Sequence, residues 1–155
     1  MILYLMRHGA AEDHAKSGRD RDRVLSTKGR SAATAAAKEL RRRRGHAIGL
    51  IVTSPAARAL ETAELVQRHA GDKHTTLEVR DELAPDEAAP LALARSLAAE
   101  GRDALIVGHQ PWIEALARAL AQRGPAIPSY STSLIVGIDP HTERLVEVID
   151  PRALP

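Results

Sequence analysis

Three short apolar runs divide the chain, and each stops abruptly at polar residues. They cover residues 1–6, 48–53 and 104–107. The first leads into Arg7-His8-Gly9, the second into Ser54-Pro55 and the third into Gly108-His109-Gln110-Pro111. Runs this short cannot span a bilayer, and their nearly unbroken apolar character fits strands covered on both faces of a parallel α/β sheet. The segments between them carry helical signals. An Ala-rich helix runs through residues 31–44, with Ser26 or Thr27 as its cap and Gly45 as its stop. A second helix runs to about residue 69, with Ser54 as cap and Pro55 in the first helical position. A third is predicted over 87–100, where Leu91, Ala94, Leu97 and Ala98 form an apolar stripe, and a fourth over 111–122. Residues 75–79 read as a short strand. Residues 133–138 and 145–149 read as an antiparallel pair at one sheet edge, joined by Asp139-Pro140-His141-Thr142.

Alternating strands and helices without a linker or internal repeat predict one α/β domain over residues 1–155, a length that suffices for its own core. Composition refines this picture in one respect. Tyr4, Trp112 and Tyr130 are the only aromatics, so Ala, Leu, Val and Ile must fill the interior. A formal net charge of +2 gives no bulk attraction for nucleic acid, and Arg41 to Arg44 complement the negative end of the first helix. The chain has no cysteine, which excludes disulfides, thiolate metal sites and cysteine nucleophiles. Neither a basic leader nor a membrane-length apolar stretch is present, so a cytoplasmic protein is the simplest expectation.

The candidate chemistry lies where the apolar runs end. Open α/β sheets bind ligands beyond the carboxyl ends of their strands, and right-handed crossovers bring neighbouring ends together. Arg7, His8 and His109 stand at such ends, while Arg58 lies in the first turns of the second helix. A cation there opposes the helix dipole, so a bound anion would account for it. Two arginines and two histidines make a pocket for a dianion. Paired histidines also suggest a metal, but no His-x-His or His-Glu-x-x-His spacing occurs, and adjacent guanidinium groups repel a cation. No metal or cofactor is expected.

The motif Leu5-Met6-Arg7-His8-Gly9 resembles the Arg-His-Gly signature of the histidine phosphatase (phosphoglycerate mutase-like) superfamily. Residues 54–62, from Ser54-Pro55 through Arg58-Ala59 to Thr62, resemble its second motif, and Val107-Gly108-His109 its late histidine. Within that superfamily, residues 23–29, Glu82-Leu83-Ala84-Pro85 and Ser131-Thr132-Ser133 look most like the SixA-type phosphohistidine phosphatases. The resemblance implies a three-layer α/β/α sandwich with a mostly parallel sheet, an antiparallel edge strand and no helical lid.

It also implies roles. His8 would be the nucleophile and pass through a phosphohistidine, while Arg7, Arg58 and His109 hold the phosphoryl oxygens. An attacking imidazole must be neutral, and like-charge repulsion from Arg7 and Arg58 would keep it so. A backbone carbonyl on the other ring nitrogen would fix its tautomer. Glu82 matches the position of the general acid, although a solvated acidic turn accounts for it equally. Ala10-Ala11-Glu12 replaces the Asn or Thr that other members carry, and Asp20 and Arg23 either border the site or belong to a solvated loop.

Only 50 residues separate Arg58 from His109, which leaves little room for a lid. An open site favours a phosphoryl group carried on a protein, possibly one of a phosphorelay. The alternatives are a phosphomonoesterase or mutase acting on a small phosphorylated metabolite, and a non-catalytic phosphoprotein-binding module.

Overall fold

The computed structural model describes residues 1–155. Its strands are β1 (Leu3–Arg7), β2 (Leu50–Thr53), β3 (Thr76–Val79), β4 (Ala104–Gly108), β5 (Ile135–Asp139) and β6 (Arg144–Ile149). They form one sheet in the order β3-β2-β4-β1-β5-β6. The first four pair in parallel, whereas β5 runs antiparallel to both β1 and β6. The predicted hairpin therefore closes one edge of a mostly parallel sheet.

Alternation along the strands divides the core into two layers. Tyr4, Met6, Ile51, Leu105 and Val107 face helices α1 (Thr27–Arg44) and α2 (Ala57–Ala70). Leu3, Leu5, Leu50, Val52 and Ile106 face α3 (Leu91–Glu100) and α4 (Trp112–Leu120). This is the expected three-layer α/β/α sandwich. The apolar runs are continuous because every residue on these strands meets a helix on one side or the other.

Helix α1 is bounded as predicted. Ser26 Oγ accepts from the Gly29 N–H at 3.0 Å, and Gly45 ends the helix in the left-handed conformation. The other three helices differ from the sequence reading. Helix α3 starts at Leu91, four residues late, because Pro90 disfavours helical geometry in the residue before it. Helix α2 starts at Ala57 with Ala56 as its uncapped N-cap, so Ser54 does not cap it. Helix α4 is shorter at both ends.

The parallel order β2-β4-β1 does the positioning. It sets the carboxyl ends of three central strands side by side, and backbone bonds continue past them: Ser54 N–H donates to Val107 O at 3.2 Å and His8 N–H to Gly108 O at 3.0 Å. Against this end, the first turn of α1 packs on the backbone just beyond His8. A Cβ at Gly29 would overlap the Ala10 carbonyl, a rigid backbone group. Gly29→Ala is therefore expected to cost about 1–3 kcal/mol in urea unfolding. Ser31→Ala, on the exposed side of the same helix, should change stability by less than about 0.5 kcal/mol.

Candidate active site

His8 is the first residue beyond β1 and is almost fully buried. Its Nδ1 lies 2.7 Å from the Gly9 carbonyl oxygen. A carbonyl only accepts, so Nδ1 carries the proton and the Nε2 lone pair stays free. This is the tautomer-fixing carbonyl that the sequence left unidentified. Gly9 is held in turn, since its N–H donates to Thr62 Oγ1 at 3.0 Å and that hydroxyl donates to the Arg58 carbonyl at 2.7 Å. Thr62, one helical turn after Arg58, thus ties the loop after His8 to the helix that carries the second arginine.

Each cation is anchored through its terminal nitrogens. Arg7 Nη1 donates to the Tyr130 carbonyl at 2.9 Å, and the buried Tyr130 hydroxyl donates to the Leu5 carbonyl at 3.0 Å. Arg58, only 4% exposed, donates from Nη1 to the Asp20 carbonyl at 3.1 Å and from Nη2 to the Asp20 carboxylate at 3.2 Å. Asp20 also receives Arg23 Nε at 2.9 Å. The His109 ring centroid lies 5.0 Å from that of His8, and its Nε2 is 2.7 Å from Ser54 Oγ. Arg7 Nε, Arg58 Nε and His109 Nδ1 are buried without any protein partner. The two arginine nitrogens are donors that need an acceptor, and a phosphoryl group supplies three oxygens.

Burial governs the protonation states. Desolvation pulls the pKa of His8 down to about 4, aided by Arg58, Arg7 and Arg23 and opposed by the Gly9 carbonyl. Desolvation likewise brings His109 down to about 3, with His8 and Arg58 adding to it. Both rings are neutral at pH 7. The expected repulsion by arginines is present but is smaller than the effect of burial. Asp20 stays ionised: partial desolvation works against its charge, but Arg58 and Arg23 hold its carboxyl below the usual range.

Arg7, His8, Arg58 and His109 converge as the sequence suggested. Glu82 lies on the turn after β3, which Trp112 holds by donating from Nε1 to the Ala84 carbonyl at 3.3 Å. Its carboxylate is exposed, pairs with Arg80 at 3.2 Å and bonds to neither histidine. Ser54, which reads as a helix cap in the sequence, instead meets His109. Asp20, which the sequence left between a border of the site and a solvated loop, is bonded to Arg58. Asp20 and Arg23 also line a small open cavity of about 240 Å³ with Asp13, His14 and Arg19.

The family model of the histidine phosphatase superfamily (branch 1) matches residues 3–85, more than half of the chain. The chain belongs to this superfamily. Among solved structures, the protein histidine phosphatase SixA complexed with tungstate is 27% identical, covers 100% of both chains and superposes with a TM-score of 0.84. A SixA structure from Agrobacterium tumefaciens is 28% identical, covering 97% of this chain and 98% of its own, with a TM-score of 0.79. An uncharacterised protein of Picosynechococcus sp. is 39% identical over 124 residues, 76% of this chain and 73% of that protein. A mycobacterial glucosyl-3-phosphoglycerate phosphatase, 22% identical over 88% of both chains with a TM-score of 0.65, shares the fold. Superfamily membership and the SixA neighbours make this protein a phosphatase with the phosphoglycerate mutase-like fold. No helix is long and apolar enough to cross a membrane.

The depressed histidines have a measurable consequence. Their folded pKa values lie below the ordinary value of 6.5, so the unfolded chain binds more protons between pH 6.5 and about 4. Stability from this source is complete above pH 6.5 and is lost as pH falls through that window. Between pH 7 and pH 5 each ring should cost about 1–2 kcal/mol in urea unfolding. The loss should shrink in a His8→Asn/His109→Asn double variant.

Proposed function

We propose that the protein is a phosphohistidine phosphatase acting on a phosphoprotein by covalent catalysis. The observation that carries this reading is the free Nε2 lone pair of a neutral His8 beside Arg7, Arg58 and His109, all with unpartnered buried nitrogens. In the first step Nε2 attacks phosphorus, a P–N bond to His8 forms, and the P–N bond to the substrate imidazole breaks. The leaving imidazole takes up a proton. In the second step water attacks phosphorus, the bond to His8 breaks, and inorganic phosphate and neutral His8 are restored. The cationic side chains hold the oxygens throughout, which is the positioning and electrostatic work that phosphoryl transfer chiefly demands. They do this work without a metal ion.

Two features favour a protein-borne substrate. The SixA structures align over nearly the whole chain, and the stretch between Arg58 and His109 is used up by the rest of α2, β3, one short turn, α3 and β4. No inserted helices roof the site. We assign proton delivery to Glu82, which would have to leave Arg80 and approach the leaving group. Because a phosphoramidate leaves readily, that contribution is modest.

The test compares turnover of a phosphohistidine protein, an aryl phosphate and a small sugar phosphate. Preference for the phosphohistidine protein by at least about 100-fold in kcat/KM supports the assignment, and equal rates would reject the substrate class. His8→Ala should abolish turnover of all three. Glu82→Gln should lower kcat on the aryl phosphate by about 10²-fold, the lower end for general acid catalysis, and affect the phosphohistidine less. An unchanged rate on both would remove Glu82 from the mechanism.

A further inference from the structure

Ser54 and His109 form a buried pair whose hydrogens can be assigned by matching donors to acceptors. Both residues are at most 2% exposed. The Ser54 oxygen accepts from the Ala56 N–H at 3.2 Å and meets His109 Nε2 at 2.7 Å. No other polar atom bonds to this hydroxyl. A serine hydroxyl has one hydrogen to give and two lone pairs, while a neutral imidazole has one donor and one acceptor nitrogen. If His109 carried its proton on Nε2, the serine oxygen would accept twice and its own hydrogen would be buried with no acceptor. His109 Nδ1, also buried and unpartnered, would then offer only a lone pair, among two guanidinium groups that gather anions. The opposite arrangement satisfies every group. The Ser54 hydroxyl donates to Nε2, Nδ1 carries the proton, and the one donor left over is the one a phosphoryl oxygen can take.

We infer that Ser54 is a positioning residue that fixes His109 in the Nδ1–H tautomer, so that this ring serves as an uncharged hydrogen-bond donor to the transferring phosphoryl group. The role assigned to that group rests on the reading of the site given above. The two histidines then do opposite work through opposite partners. The Gly9 carbonyl compels Nδ1 of His8 to donate and so frees an attacking lone pair. The Ser54 hydroxyl satisfies the lone pair of His109 and so frees an N–H. The arrangement also gives Ser54 a reason to precede Pro55 other than capping, since the helix begins three residues later.

Ring nitrogen chemical shifts of His109, measured by 15N NMR on ligand-free protein, test the tautomer without any turnover. The expected result is a protonated Nδ1 and an unprotonated Nε2 in the wild-type protein. Ser54→Ala should shift His109 toward the other tautomer or a mixture and lower kcat/KM on an aryl phosphate by about 10-fold or more, the low side of losing one transition-state donor. Ser54→Thr, which keeps the hydroxyl, should restore both. A protonated Nε2 in the wild-type protein would overturn the inference, as would an Ser54→Ala variant that keeps the wild-type tautomer and rate. If the variants do not fold, the wild-type spectrum alone decides. A failure of the covalent mechanism would show instead as turnover by His8→Ala, a result that leaves the tautomer untouched.

Discussion

Burial of polar side chains at one end of the sheet is the constraint on which the site depends, and the two guanidinium groups gathered there add to it. A desolvated titratable group gives up its charge unless an opposite charge joins it. Both responses are visible. His8 and His109 stay neutral far below the ordinary histidine range, and Asp20 keeps its negative charge beside Arg58. The same desolvation that would strengthen the hold of the arginines on a phosphoryl group also leaves His8 with a free lone pair. In the proposed mechanism, binding and nucleophilicity thus have one physical origin.

Backbone geometry maintains this arrangement. The β2-β4-β1 register places three strand ends together, and bonds from His8 to Gly108 and from Ser54 to Val107 carry that alignment into the site. Gly108 allows the Trp112 indole to lie against the end of β4, and Trp112 reaches the Ala84 carbonyl. The turn bearing Glu82 is thereby tied to Trp112, whose ring centroid lies 6.3 Å from that of His109, although the Glu82 carboxylate is exposed. Tyr130, Thr62 and Asp20 each restrain a different cation or loop, so the pocket is built from contacts remote in sequence.

The sequence showed the frame and the four central side chains because both depend on local patterns. A continuous apolar run ending in Arg7-His8 or Gly108-His109 marks a covered strand with chemistry at its tip, and Gly45 marks the end of α1. What it hid depends on distance across the chain. Ser54 followed by Pro55 fits a helix cap until His109 is seen 2.7 Å away. Asp20 sits in a run of alternating charges, and only the fold selects it as the partner of Arg58. The start of α3 is set by Pro90, a local signal that the apolar stripe of the helix does not carry. Burial as the main influence on His8 was not legible, because desolvation belongs to the assembled site and to no motif.

The central claim is that the free Nε2 of His8 accepts the phosphoryl group. It is tested most directly by trapping the enzyme during turnover with a rapid alkaline quench and locating the phosphorus by 31P–15N NMR. The account predicts phosphorus bonded to Nε2 of His8, because Nδ1 is held by the Gly9 carbonyl. Phosphorus on Nδ1, on another residue, or on no residue while product forms would contradict it.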